Sequence, residues 1–219
     1  MFHLRPLVVA TCLLFTGMNY QQIFASTPDI AEHARDTTRN ATNFTVAAYL
    51  PEYRLDLSLA DRICEHVTDL ILFSAEPSED GDVTMLNRFP KDYLDTLLSA
   101  REKYNTRISL SIGGGGRSRA FSSMTSSAPA RRKFSLRILE ICQNWRLDGI
   151  DLDWEGDLEK NPIKWKNLEN LIVEIKSLFE EYSRSLHLTI AIHLGQEDSL
   201  TPTILKVHCN LQCALVHSL

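Results

Sequence analysis

The chain has 219 residues, 44% of them hydrophobic and 23% charged, with 23 Lys and Arg against 28 Asp and Glu for a net charge of −5. That balance suits a soluble protein of one globular domain and argues against disorder throughout. The acidic excess also argues against nucleic acid or any other polyanionic partner.

Residues 1–25 hold Arg5 as their single charge, an apolar run from Leu7 to Met18, and Ala25 before Ser26. This pattern reads as a secretory signal peptide, so a secreted product is expected, free of the membrane once the segment is cleaved. Its apolar core is short for a bilayer, and no later run approaches about 18 uninterrupted apolar residues. Removal of the segment would leave 22 basic against 28 acidic residues, a net charge of −6. Residues 26–43 are polar and rich in Thr, Ala and Asn, as in a flexible leader. Two sequons fall there, Asn40-Ala-Thr42 and Asn43-Phe-Thr45, with Asn40 the better glycan candidate.

An ordered domain is expected from Phe44, over residues 44–197. Apolar, β-prone runs recur at Phe44 to Leu50, Val67 to Ala75, Arg107 to Ile112, Leu147 to Trp154 and Leu186 to His193. Stretches of helical period separate them: Tyr93, Leu94, Leu97, Leu98 and Tyr104; then Phe134, Ile138, Cys142 and Trp145; then Trp165, Leu168, Leu171, Ile172, Ile175, Leu178, Phe179 and Tyr182. Strands alternating with helices predict an α/β fold of βαβ units around a parallel sheet. Two architectures compete, an open doubly wound sheet and the first part of a (β/α)-barrel. In both, function lies at the carboxyl ends of the strands.

The fourth run carries Asp148-Gly-Ile-Asp-Leu-Asp-Trp-Glu155. Side chains alternate across a strand, which puts Asp151, Asp153 and Glu155 on one face and Ile150, Leu152 and Trp154 on the other. Asp148 is out of phase with the other three acids and suits the strand's entry. Neighbouring carboxylates repel unless protons, water or hydrogen bonds relieve them, and that tends to raise a pKa into the range of a general acid. A solvated acidic edge and a divalent cation site are the rival readings.

Ser111-Ile-Gly-Gly, continuing through Gly115 and Gly116, caps the third strand. Neither the Rossmann spacing nor the Lys of a P-loop is present, which leaves a flexible loop or a turn where backbone approaches a ligand closely. Gly113 and Gly114 are the candidates for that approach. Beyond the signal segment the cysteines are Cys64, Cys142, Cys209 and Cys213. Cys142 lies on an apolar helix face and reads as a buried thiol, and Cys209-x-x-x-Cys213 lacks the partners of a zinc site.

Ser111-Ile-Gly-Gly114, Phe121-Ser-Ser-Met, the basic helix start at Arg131 to Phe134, and the acidic motif through Glu155 together resemble glycoside hydrolase family 18, the chitinases and chitinase-like lectins. The acidic stretch matches the family's Asp-x-x-Asp-x-Asp-x-Glu, and the likeness spans about Phe44 to Gln196. It implies a (β/α)8 TIM-type barrel that binds chitin or other β-1,4-linked N-acetylglucosamine oligosaccharides, with no cofactor and no metal. It further implies Glu155 as the general acid, Asp153 as the residue that orients the 2-acetamido group, and Asp151 as its partner deeper in the barrel. The acetamido oxygen would then attack the anomeric carbon in a substrate-assisted, retaining hydrolysis. Tyr49 and Phe73 align with aromatics lining the family's sugar subsite, while Trp154 reads as packing.

The resemblance is incomplete. Five βα units are used by His193, and the family's Met-x-Tyr-Asp motif on strand six and the tryptophan on strand eight are missing from residues 198–219, an atypical tail. The expectation is a truncated barrel lacking its carboxyl-terminal strands, with impaired hydrolysis. The alternatives are a lectin that binds chitin without turnover, a non-functional fragment, and a five-stranded open sheet that stands alone.

Overall fold

The computed structural model describes residues 7–8, 45–156, 158, 161–182, 186–192 and 211–215. In chain order the elements are Leu7–Val8 (β1), Thr45–Pro51 (β2), Ala60–His66 (α1), Asp69–Pro77 (β3), Val83–Thr84 (β4), Lys91–Tyr104 (α2), Arg107–Gly113 (β5), Phe121–Ser126 (α3), Ala128–Asn144 (α4), Gly149–Asp153 (β6), Pro162–Glu181 (α5), His187–Ile192 (β7) and Leu211–Leu215 (β8). The strands run side by side as β1-β2-β3-β5-β6-β7-β8, every neighbouring pair parallel, with β4 an antiparallel addition to β3.

That order decides between the two competing architectures. A doubly wound sheet reverses its strand order at a switch point, whereas this row never turns back. Right-handed crossovers taken always in one direction leave their helices on a single face, as in a barrel. Leu70, Leu72, Ile108, Leu110, Ile112, Ile150, Leu152, Leu188 and Ile190 form one core with Leu97, Phe134, Ile138, Leu168, Ile172 and Ile175 of the helices. The alternate residues Tyr49, Ser109, Ser111, Asp151 and Thr189 therefore look the other way, into the concave side.

The helices begin and end where local chemistry directs. Asn161 caps α5 by accepting from the Ile163 and Lys164 amides at 3.1 and 3.3 Å, with Pro162 next, where a missing N–H costs nothing. Ser127 caps α4 by accepting from Ala130, and α2 stops at Asn105 in the left-handed conformation. The stripe on α5 is buried from Trp165 to Phe179, whereas Tyr182, just past the helix end, is 49% exposed. Cys142 is buried on α4, its Sγ 3.9 Å from the Gly149 carbonyl, and Cys64 is buried on α1.

All five expected strands and all three expected helices are present. A sixth strand follows in the barrel row, since β8 pairs with β7 in register Leu188↔Leu211 to Ile192↔Leu215, inside the stretch read as an atypical tail. An edge strand such as β7 presents unpaired N–H and C=O groups, and β8 meets them. The leader 26–43 with the sequon asparagines Asn40 and Asn43, residues 193–210 with Cys209, and the signal-like segment apart from Leu7–Val8 lie outside the described residues. Among the described residues no helix is long and apolar enough to cross a membrane.

Candidate active site

Parallel register builds the site. Ser111 of β5, Asp151 of β6 and Thr189 of β7 lie in one row across three strands, with their side chains on the concave side. The Ser111 hydroxyl donates to Asp151 Oδ2 at 2.9 Å, the Thr189 hydroxyl to Oδ1 at 2.6 Å, and the Tyr49 hydroxyl from β2 to Oδ2 at 3.1 Å. Asp151 is fully buried, and three neutral hydroxyl donors satisfy its carboxyl group. Asp153, two residues nearer the carboxyl end, is 5% exposed. Glu155 lies beyond the end of β6 and is half-buried at the mouth.

The glycine turn after β5 closes against these acids. Gly113 and Gly114 adopt φ of 108° and 90°, which side-chain-bearing residues resist. A Cβ on Gly113 would stand 2.2 Å from the Asp153 carbonyl oxygen, and one on Gly114 would stand 2.3 Å from the Phe73 ring. The Gly114 amide donates to the Asp153 carbonyl at 2.7 Å. At Gly115 the Cβ position is 3.4 Å from Glu155 Oε2, so the turn flanks both outer acids. Phe73 packs against the turn at Gly114, its ring edge-on to Tyr49 with centroids 5.9 Å apart.

Burial dominates the electrostatics. It raises the pKa of Asp151 despite the opposing hydrogen bonds from Thr189, Ser111 and Tyr49. Burial, reinforced by the charges of Asp151 and Glu155, pushes Asp153 up to about 8. A proton is therefore held on this carboxylate pair at neutral pH, where an isolated Asp would be ionised. Among the described residues no group of three or more His, Cys, Asp and Glu is gathered as a metal cage requires.

The site residues expected from sequence are linked by contact: Tyr49 meets Asp151 and Phe73, and Gly113 and Gly114 lie against Asp153 and Phe73, with Glu155 beside the same turn. Trp154 points the other way and stacks on Phe121 of α3 at 5.2 Å between centroids, and Phe121 in turn meets Phe134. Asp148 serves the entry to β6, accepting from Arg101 and from the Ile108 amide, each at 2.8 Å.

Sequence reasoning missed Ser118, whose hydroxyl lies 3.0 Å from the Asp153 carbonyl and accepts from the Glu155 amide at 3.0 Å. It also missed the hydroxyl of Thr189. The face of Thr189 follows from the alternation of its own strand, but its meeting with Asp151 depends on the register of β6 and β7. Ser118 gave no such signal, since its reach depends on the path of the glycine turn.

Residues 37–218 match the sequence profile of Glycosyl hydrolases family 18. Chitinase 1 of Aphanocladium album is 28% identical over 102 residues, covering 43% of this chain and 23% of that protein. Probable chitinase 2 of Drosophila melanogaster is 26% identical over 163 residues, covering 68% of this chain and 32% of that one. In structure the chain resembles the Group IV chitinase of Ostrinia furnacalis with a TM-score of 0.65 at 19% identity, over 77% of this chain and 50% of that one. The chain thus spans about a quarter to a third of the length of these sequence relatives and half of the solved chain.

Proposed function

The chain belongs to the glycosyl hydrolases of family 18, and on that premise we propose that it acts on β-1,4-linked N-acetylglucosamine chains as a secreted, chitinase-type hydrolase. The observation that carries the proposal is the graded burial of three carboxylates along the end of β6, from fully buried Asp151 to half-buried Glu155. Glu155, at the mouth, gives its proton to the glycosidic oxygen as the bond to the anomeric carbon breaks. The substrate's own acetamido oxygen attacks that carbon from the opposite face, so no enzyme carboxylate is needed as nucleophile. Asp153 accepts a hydrogen bond from the acetamide N–H, which aims the oxygen and favours the positive charge that develops on the ring formed. Asp151, solvated by three hydroxyls, takes up or returns the shared proton as Asp153 changes partner. Water then opens the cyclic intermediate while Glu155 acts as base, and the starting configuration is kept.

Tyr49 and Phe73 line the side that receives the acetamido sugar, and the Gly113 and Gly114 backbone packs directly on the Asp153 carbonyl and the Phe73 ring. The signal-like composition of residues 1–25 supports secretion. The test is release of fluorophore from a chitobioside of 4-methylumbelliferone. Wild-type protein should release it, and Glu155→Gln should reduce kcat by at least about a thousandfold while retention on chitin beads persists. Release that survives Glu155→Gln would refute the assignment.

One observation favours a second reading, binding without turnover. The β8 sequence Leu-Gln-Cys-Ala-Leu carries no tyrosine where the resemblance implies one that helps to hold the acetamido group. Retention on chitin beads with no release by the wild type would select it.

A further inference from the structure

A chain of contacts that leaves the site carboxylates untouched runs from Glu52 to the backbone at the end of β6. Arg117 follows the glycine turn, and its guanidinium grips Glu52, just past β2, through both nitrogens: Nη2 to Oε1 at 2.5 Å and Nη1 to Oε2 at 3.2 Å. Two parallel bonds from a planar fork fix direction as well as distance. Nη1 also donates to the Ser74 hydroxyl of β3 at 3.0 Å, and that hydroxyl donates to the Gly113 carbonyl at 2.7 Å. The guanidinium lies 5.5 Å from the centroid of the Phe73 ring. Both charged side chains are mostly buried, at 22% and 16% exposure, so water does little to dissolve the pair. Burial raises the Glu52 pKa, yet the Arg117 hydrogen bond and charge hold it below its ordinary value.

The backbone of the same residue closes the turn, its N–H donating to the Gly114 carbonyl at 2.9 Å. The next residue, Ser118, reaches across to β6 by accepting from the Glu155 amide and lying against the Asp153 and Gly114 carbonyls at 3.0 and 3.1 Å. Two consecutive residues therefore connect the carboxyl ends of β2, β3, β5 and β6.

We propose that Arg117 and Ser118 are positioning residues, a brace that holds the Gly113–Gly115 turn and the Asp153–Glu155 strand end in one register. The proposal rests on the glycosidase reading for its kinetic consequence only. Without the brace the turn keeps its glycines and the Ser74–Gly113 bond to β3 but loses its anchor to Glu52 and its side-chain link to the end of β6. Glu155 then samples orientations that do not meet a glycosidic oxygen, which lowers kcat more than it raises KM.

The test uses the full chain with Arg117→Met, Arg117→Lys and Ser118→Ala. Amide hydrogen exchange should accelerate by about tenfold or more at Gly114 and Glu155 in Arg117→Met and Ser118→Ala, with the amides of α5 unchanged. On the fluorogenic chitobioside, Arg117→Met should lower kcat by about tenfold to a hundredfold with KM within about twofold, and Arg117→Lys should recover part of the loss. Unchanged exchange at both amides in both variants overturns the brace. So does acceleration spread equally over α5, which marks general destabilisation. If the wild type itself releases no fluorophore, the glycosidase reading fails, and the exchange pattern alone upholds or overturns the brace.

Discussion

Asp153 is buried beside a second carboxyl group, and its proton is the cheapest means of keeping it there. With a folded pKa of about 8 against an ordinary value of 3.8, the folded chain binds more protons than the unfolded one across that interval. Stability therefore falls as pH rises from 4 to 8 and stays low above the folded value. Asp153→Asn removes the titration while keeping the shape. The variant should match wild type near pH 4 and exceed it near pH 9 by on the order of a few kcal/mol in urea unfolding. Parallel stability curves for the two proteins over that range would contradict the proton assignment. The alternation that puts Asp151, Asp153 and Glu155 on one face is readable from spacing alone. The hydroxyls of Tyr49, Ser111 and Thr189 around Asp151 are not, because they come from three strands whose register only the folded sheet sets.

Elements succeed or fail in the sequence by how much period they display. The stripe of α5 runs over five turns, and the buried strands read as continuous apolar runs, so their existence follows from pattern. Helix α1 carries Asp61, Arg62, Glu65 and His66 among seven residues and buries only Ala60 and Cys64, too little for a period to emerge. Helix α3 is equally short, yet its Phe121 lies fully buried between Trp154 and Phe134 and ties the helix layer to the back of the acidic strand. Phe121→Ala should cost about 3–5 kcal/mol of unfolding free energy, since the space beneath Trp154 cannot collapse fully. A loss below about 1 kcal/mol would mean that the stack is not what supports β6. Strand β8 falls where a sixth strand is due by spacing, although its Leu-Gln-Cys-Ala-Leu lacks the motif that the resemblance implies there.

Over the whole molecule, a strand order without reversal turns one face to the helices and the other to the concave side, and the candidate site residues fall toward one end of that row. The barrel type was legible in the two ordered motifs. The row of about five βα units agrees with that reading, and β8 adds one strand beyond β7. Chitin is uncharged, and a chain of net charge −5 gains nothing from long-range attraction to it. Retention on chitin beads should accordingly change by less than about twofold between about 0.05 and 0.5 M NaCl. A tenfold loss would point to an ionic partner. The central claim is that the substrate's acetamido group, held by Asp153 and aided by Glu155, displaces the leaving sugar. Time-resolved proton NMR of an N-acetylglucosamine tetramer tests it most directly, through the configuration of the first reducing ends formed at the cleaved bond. The account predicts the β-anomer first, relaxing to the equilibrium mixture; the α-anomer appearing first would contradict it.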